Sequence, residues 1–142
     1  MFKHYALPTL LTIILVSLIF FQPRIVYGSS VEPTIQDGQF IVVFRFAKII
    51  NRNDFWISEF NGKNSVKRVV GLPGELIEVK DGGIFINGIL EEPYFETPEN
   101  WYEVSLAADE YFLAGDNRAH SSDSVLFGPV RSRDMNGKVI YF

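Results

Sequence analysis

Residues 76–90 read LIEVKDGGIFINGIL, and they give the clearest indication of the fold class. Its short runs of β-branched and aromatic residues predict strands, and turns interrupt them at Asp81-Gly82-Gly83 and at Asn87-Gly88. Asn-Gly is the strongest short hairpin signal, because both residues tolerate positive φ. A succession of short strands joined by tight turns therefore indicates a β domain.

Three further stretches extend the same pattern. Residues 40–46 read FIVVFRF, and residues 111–114 and 138–142 also have the composition of strands. Both faces of 40–46 are mostly apolar, so we expect this strand to be covered on both sides, or to touch lipid with one face. Helical periodicity is poor after residue 25. We therefore predict an all-β domain, a compact folded sheet or barrel, preceded by one N-terminal transmembrane helix.

The N-terminal segment differs in composition from the rest. Residues 5–21 carry no charge, a length at the short end of what spans a bilayer. Lys3 before the run and Arg24 after it favour a cytoplasmic N-terminus. A signal peptide cleaved after Gly28 is the alternative, but the apolar run is longer than the usual signal core. We expect an anchor in residues 1–23 and an extracytoplasmic catalytic domain in 24–142, in a protein that crosses the cell membrane once.

Composition excludes several classes of function. The chain has 142 residues, a net charge of −4 and no cysteine. Residues 24–142 suffice for one domain, and the acidic balance argues against a nucleic-acid partner. Without cysteine, there is no thiol nucleophile, thiolate metal site or disulfide. The chain has only two histidines and no HExxH string, so we expect no metal and no cofactor.

A candidate nucleophile lies in residues 28–34, which read GSSVEPT. Gly28 permits unusual backbone angles, and Pro33 fixes its own φ and restricts Glu32 to extended conformations. A loop constrained in this way can hold one hydroxyl still. Ser30 and its neighbour Ser29 are the competing candidates.

A candidate base lies in residues 66–75, which read VKRVVGLPGE. Lys67 is flanked by aliphatic residues, and burial among them would lower its pKa and favour the neutral amine that a base requires. Arg68 would point to the opposite face of a strand. The alternative base is His120, with Asp116 or Asp123 as its partner in a triad.

A third string, GDNRAHSSDS, occupies residues 115–124. In this order the three strings resemble the active-site boxes of bacterial type I signal peptidases, membrane-bound serine proteases with a serine–lysine dyad. Residues 85–88 (FING) and 92–94 (EPY) are similar to that family's middle segment. The short span between Lys67 and Gly115 is typical of its compact, Gram-positive-like members. The resemblance covers most of the chain after residue 25.

The resemblance implies a role for each matching residue. Ser30, three residues before the proline, corresponds to the nucleophile, Lys67 to the base, and Ser121 to a serine that hydrogen-bonds and orients the lysine. The Ser30 backbone N–H would form the oxyanion hole, and Gly28 stands where many relatives have the second donor. Residues at structural positions near the site are Asp116, Asn117, Arg118, Asp123 and Arg68.

Asp123 carries a more specific expectation, an ion pair with Arg118 or Arg68 that braces the loop. Two positions depart from the family pattern, since Val31 stands where methionine is usual and Val125 where arginine is common.

The resemblance also implies the substrate, which would be a preprotein signal peptide with small residues at −1 and −3, extended along a strand edge. The residues expected to line its pockets are Val26, Ile35, Ile41 and Val66.

The leading interpretation is a membrane-anchored serine endopeptidase that removes signal peptides from exported preproteins through an acyl-enzyme. Its partners would be those signal peptides and the lipid bilayer, since tethering both molecules in one membrane raises their effective concentration. One alternative is a maturation protease dedicated to a pilus or conjugation substrate. Another is a catalytically silent, membrane-tethered assembly factor. Self-cleaving repressors share the dyad chemistry, but they lack an N-terminal membrane span.

Overall fold

A computed structural model describes residues 6–91 and 102–142 of the chain. Within these ranges the first element is helix α1 (Ala6–Phe20), and the short helix α2 (Ser124–Phe127) comes late in the chain. The strands are β1 (Phe21–Ile25), β2 (Phe40–Phe44), β3 (Phe55–Phe60), β4 (Lys63–Gly71), β5 (Leu76–Lys80), β6 (Gly83–Ile86), β7 (Ile89–Glu91), β8 (Tyr102–Ser105), β9 (Glu110–Ala114), β10 (Val130–Arg131) and β11 (Met135–Tyr141).

Helix α1 has 15 residues without a charge, and all of its side chains are exposed. It runs directly into β1, which lies at the edge of its sheet in the described part of the chain and therefore tolerates Pro23. Across the two described ranges, no helix is both long and apolar enough to cross a membrane. The start of the expected anchor, residues 1–5, lies outside those ranges.

The strands form two antiparallel sheets. Seven strands lie in the order β1-β2-β11-β3-β4-β9-β10, and four lie in the order β7-β6-β5-β8. Over the described part of the chain neither sheet closes on itself, so the domain is a folded-sheet structure rather than a barrel. The mostly β architecture confirms the predicted class.

The pairing of β4 creates the opening where the candidate residues lie. Strand β3 pairs with β4 from Lys63 to Arg68, but β9 pairs with it only between Arg68 and Gly71. The first half of β4 therefore has one free edge with respect to the described strands. Strand β1 has a free edge as well, because β2 is its one partner in the sheet order.

A buried apolar cluster supports the loop between β1 and β2. Val31 and Ile35 are 1% and 0% exposed, and they pack with Ile41, Val43 and Phe55 of the large sheet. Each side chain buried to this extent contributes about 1.5–3 kcal/mol relative to an exposed one. These two anchors hold the loop that contains Ser30 against the sheet.

The predicted turns at 81–83 and 87–88 separate β5, β6 and β7, and the strands predicted at 111–114 and 138–142 correspond to β9 and β11. The prediction that both faces of residues 40–46 are covered was wrong, because the strand ends at Phe44 and only Ile41 and Val43 are buried. The described residues cover the opposite face only in part, because Val42 and Phe44 are half-buried and Phe40 is 54% exposed. The EPY motif at 92–94 lies outside the described residues.

Candidate active site

Ser30 and Lys67 meet across the opening between β1 and β4. The Lys67 Nζ donates a 2.7 Å hydrogen bond to Ser30 Oγ. Lys67 comes from the middle of β4 and is only 2% exposed, whereas Ser30 is half-buried in the β1–β2 loop. A hydroxyl beside an amine at this distance has the geometry for direct proton transfer.

The surroundings of Lys67 favour the neutral amine. Burial lowers its pKa, because the ammonium loses hydration, and the nearby Asp123 carboxylate partly opposes this effect. The amine forms no ion pair with any described residue. Its position in β4 explains the burial, since Lys67 faces inward between half-buried Val66 and half-buried Arg68.

The 115–124 loop holds the Ser30 loop in place through Asn117. The Asn117 N–H donates to the Ser30 carbonyl oxygen over 3.1 Å, and Asn117 Nδ2 donates to the Ser29 carbonyl oxygen over 3.2 Å. Of the two candidate serines, it is Ser30 whose hydroxyl accepts the Lys67 hydrogen bond. Two loops distant in sequence therefore fix one hydroxyl.

The Ser121 hydroxyl has a different partner from the one expected. It donates to Asp123 Oδ2 over 2.5 Å and makes no hydrogen bond to Lys67. The side chain still lies at the site, because a β-carbon on Gly115 would come within 2.3 Å of both Ser121 Oγ and the Ser30 carbonyl oxygen. The absence of that β-carbon lets the two loops approach.

The expected ion pair between Asp123 and an arginine was wrong. The 2% exposed Asp123 accepts from Ser121 Oγ, from the Gly115 N–H at 2.8 Å and from the Val125 N–H at 3.0 Å. The last bond caps the N-terminus of α2. Three local donors satisfy the carboxylate, which removes the need for a guanidinium.

Arg68 pairs with Asp116 instead. Arg68 Nε and Nη2 donate to the two Asp116 oxygens over 2.7 and 2.6 Å, and this pairing raises the pKa of Arg68. Thr34 Oγ1 donates to the same carboxylate over 2.5 Å, and the guanidinium lies 4.3 Å from the centre of the Phe55 ring. Sequence reasoning assigned no role to Thr34, although the residue lies within the Ser30 string.

Arg118 and His120 lie further from the dyad. The Arg118 side chain is 3% exposed and 3.9 Å from Glu91, and burial lowers its pKa. His120 is exposed, and its Nδ1 lies 3.2 Å from Asn117 Oδ1. Within the described residues His120 has no hydrogen bond to Ser30 or to either aspartate, so the alternative triad is not assembled.

The backbone donors near Ser30 differ in availability. The Ser30 N–H has no acceptor among the described residues, which leaves it available for an oxyanion. Gly28 occupies the position of the second donor in the family, and its N–H donates to Asp37 Oδ1 over 2.8 Å. Gly28 itself has a φ of +95°, which favours glycine in this turn.

A groove of about 360 Å³ opens beside Ser30. Val26, Ile41 and Val66 line it, as expected. Ile35 does not, because it is completely buried beneath the loop, so its expected place in a pocket was wrong. Sequence reasoning missed the other lining residues, which are Arg24, Ile25, Tyr27, Val31, Ile57, Asn64 and Ser65. Only the joint position of β1, β3 and β4 makes them neighbours.

The two departures from the family pattern are both buried. Val31 is 1% exposed and Val125 is 8% exposed. Val31 packs in the cluster beneath the Ser30 loop, and Val125 packs in a cluster formed by residues of both sheets. An apolar residue at 125 matches a site in which Asp123 needs no further cation.

A mostly β domain that brings a serine hydroxyl and a buried lysine amine together beside an open groove has the geometry expected of a serine endopeptidase, and comparisons with known proteins agree. A family model described as signal peptidase, peptidase S26, matches residues 2–142. Signal peptidase I of Bacillus licheniformis is 34% identical over 78% of this chain and 69% of its own length. Signal peptidase I V of Bacillus subtilis (strain 168) is 34% identical over 80% of each chain.

A solved structure is similar as well. The crystal structure of a signal peptidase I from Enterococcus faecalis V583 superimposes with a TM-score of 0.53 at 27% identity, covering 66% of this chain and 98% of that one. This chain belongs to the signal peptidase family, peptidase S26. It is a hydrolase of the serine endopeptidase type.

Proposed function

We propose that this protein removes signal peptides from exported preproteins, with Ser30 as nucleophile and Lys67 as general base. The observation that carries the proposal is the 2.7 Å hydrogen bond from the buried Lys67 amine to the Ser30 hydroxyl. A lowered pKa supports the role, because only the neutral amine can accept a proton.

The reaction has two halves. Lys67 Nζ takes the Ser30 proton while Ser30 Oγ attacks the carbonyl carbon of substrate residue −1, and the Ser30 N–H donates to the resulting oxyanion. The Lys67 ammonium then protonates the departing amine of residue +1, which leaves an ester on Ser30. Water, deprotonated by Lys67, hydrolyses the ester and restores the hydroxyl. A general base of this kind contributes about 10²–10⁴-fold to the rate.

The free edges of β1 and β4 support an extended substrate. Both strands border the groove beside Ser30, so a peptide lying between them could pair its backbone with either edge. The aliphatic side chains of Val26, Ile41 and Val66 make the walls of the groove apolar. Small residues at −1 and −3 would fit such shallow walls, whereas larger side chains would be excluded.

We also propose that residues 1–23 anchor the protein in the cell membrane in a single pass, with a cytoplasmic N-terminus and residues 24–142 outside. The exposed, uncharged α1 supports this arrangement, because its apolar side chains are all exposed and, of its aromatic rings, that of Phe20 at its end contacts Phe46 of the domain. Since α1 continues directly into β1, the anchor would place the groove close to the membrane surface.

The test is cleavage of a preprotein with an Ala-x-Ala site, in detergent and in liposomes. We expect cleavage by the wild type, none by Ser30→Ala or Lys67→Ala, and wild-type activity from Lys63→Ala. Lys63 is a matched control because it is an exposed lysine on the same strand. Cleavage by Lys67→Ala would refute the mechanism.

The same assay separates the alternatives. Cleavage of one dedicated precursor but not of the general preprotein would indicate a specialised maturation protease. Cleavage of neither by any variant, with the fold intact, would indicate a silent assembly factor. The Ser30 N–H, which has no acceptor within 6–91 and 102–142, and the Lys67 hydrogen bond favour an active enzyme over that last possibility.

A further inference from the structure

The substrate groove does not end at the apolar pockets. It continues into a second cavity of about 280 Å³, and Arg24, Ile57 and Asn64 line both spaces. Its polar lining residues are Gln22, Arg24, Arg45, Asn64 and Asn136. A peptide bound beside Ser30 would therefore meet a polar surface further along the same groove.

This surface is positively charged in an acidic protein. The chain has a net charge of −4, yet none of the described acidic residues lines either cavity. Arg24 and Arg45 are both exposed, and neither forms an ion pair with any described residue. Both guanidinium groups therefore remain available to a ligand.

The amides arranged around the arginines are hydrogen-bonded to one another and to Arg24. Arg24 Nη2 donates to Gln22 Oε1 over 3.1 Å, which orients the guanidinium along β1. Asn136 Nδ2 donates to Asn64 Oδ1 over 2.9 Å, and this bond joins β11 to β4 between two residues that line the cavity. The cavity thus combines two cations with amide groups that can bind a polar side chain.

The chain direction decides which part of a substrate would lie there. The Arg45 N–H donates to the Phe20 carbonyl oxygen over 3.1 Å, so the second cavity is at the α1 end of the groove. If α1 and the apolar segment of the substrate share a membrane, the substrate enters from this end. The substrate residues that precede position −3 then lie in the second cavity.

The distance along β4 gives the position more closely. Asn64 precedes Lys67 by three residues, which is about 10 Å at the usual rise of a strand. An extended substrate with residue −1 at Ser30 would reach the level of Asn64 at residue −4. Arg24 and Arg45 would then lie beside residues −4 to −6.

We propose that Arg24 and Arg45 form a subsite that selects acidic side chains at positions −4 to −6 of the precursor and disfavours basic ones. This proposal rests on the proposed function, because it specifies the substrate of the same groove. The reason is electrostatic, since a carboxylate gains two nearby cations while a lysine or arginine is repelled.

The test compares the cleavage of three fluorescence-quenched peptides that share Ala at −1 and −3 and carry Glu, Gln or Lys at −5. Two further sets of peptides carry the same three residues at −4 or at −6. For the wild type in detergent we expect kcat/KM to be about fivefold higher with Glu than with Lys, the size expected for exposed ion pairs. Arg24→Gln and Arg45→Gln should each reduce this ratio, and Arg24→Glu should reverse it. A folding defect would lower all three rates together and could not reverse the ratio.

Arg131→Gln is the matched control. Arg131 is an exposed arginine on β10, at the opposite end of the seven-stranded sheet from β1, and its loss should leave the ratio unchanged. Equal rates for all three peptides with the wild type, or a ratio that ignores both arginines, would overturn the subsite while leaving the proposed function intact. No cleavage of any peptide would instead count against the proposed function, and the subsite would fall with it.

The arginines have one other credible ligand, the phosphate groups of lipids at the membrane surface. Binding of the protein to phosphatidylcholine vesicles, with and without phosphatidylglycerol, distinguishes a lipid phosphate from an acidic peptide side chain as the ligand. If the Arg24 and Arg45 variants lose binding to anionic vesicles while the peptide ratio in detergent stays that of the wild type, the groups bind lipid and the subsite is refuted. A ratio that changes in detergent supports the subsite.

Discussion

Lys67→Met should remove activity and increase stability at the same time. Methionine keeps much of the apolar stem of Lys67 and lacks the amine, so it suits a position that is 2% exposed. The buried amine has a lowered pKa, and each pH unit of lowering corresponds to about 1.4 kcal/mol of stability lost at a pH below both pKa values. The lost hydrogen bond to Ser30 costs about 1 kcal/mol in return.

The net expectation is a gain in the free energy of unfolding near neutral pH, because the cost of burying the amine, about 1.4 kcal/mol for each unit by which the pKa is lowered, exceeds the roughly 1 kcal/mol lost with the hydrogen bond. Cleavage should fall by about 10²–10⁴-fold or more, because the general base is gone. A gain of 1 kcal/mol would raise the Tm by roughly 4 °C in a domain of this size.

The gain should depend on pH in a defined direction. Between its lowered folded-state pKa and its unfolded-state pKa of about 10.4, Lys67 holds a proton when unfolded and not when folded. The unfolded state therefore binds more protons, and wild-type stability rises with pH across this window. The advantage of Lys67→Met should shrink as the pH is raised from 7 toward 10.

Urea unfolding at several pH values, together with peptide cleavage, tests this prediction. Lys63→Met is the control, since Lys63 is exposed on the same strand and its replacement should change neither activity nor the pH dependence of stability. A Lys67→Met protein that is less stable than the wild type at pH 7 would refute the argument that the amine is buried at a cost. Activity within tenfold of the wild type would refute its role as base.

Gly115→Ala should reduce cleavage by at least about tenfold, because its β-carbon would lie 2.3 Å from the Ser30 carbonyl oxygen and would displace the nucleophile loop; wild-type kcat would contradict this. Asp123→Asn should shift the acidic limb of the pH–rate profile to lower pH, because the carboxylate raises the pKa of Lys67, and an upward shift would contradict this. Asp116→Asn should lower stability by roughly 1–3 kcal/mol in urea, because its arginine partner keeps a weaker acceptor, whereas an unchanged midpoint would indicate that the ion pair contributes nothing.

Local sequence was sufficient for the strands that tight turns delimit. The turns at 81–83 and 87–88 were predicted because glycine, asparagine and aspartate there adopt positive φ, as they do in the structure. The burial of the two faces of residues 40–46 was not predictable in the same way, because it depends on whether another part of the protein packs on the outer face. Strand β1 was missed because Pro23 and flanking polar residues hide its pattern.

The site shows the same division. The three strings and their order identified Ser30 and Lys67 as candidates, since such motifs are contiguous in sequence. The partner of Asp123 depended on which donors the folded loop brings to its carboxylate, and the nearest were the Ser121 hydroxyl and two backbone N–H groups. No local pattern indicates that Asp116 would take Arg68, because the two residues are 48 positions apart.

By itself the sequence determined the β class, the turns and the candidate dyad, because each of these depends on residues that are neighbours along the chain. The tertiary structure alone decided that Lys67 is buried beside Ser30 and that the Gly28 N–H is committed to Asp37. It also decided that free edges of β1 and β4 border one groove. The physical reason is that burial, hydrogen-bond competition and strand pairing are set by groups that are distant in sequence and meet only after folding.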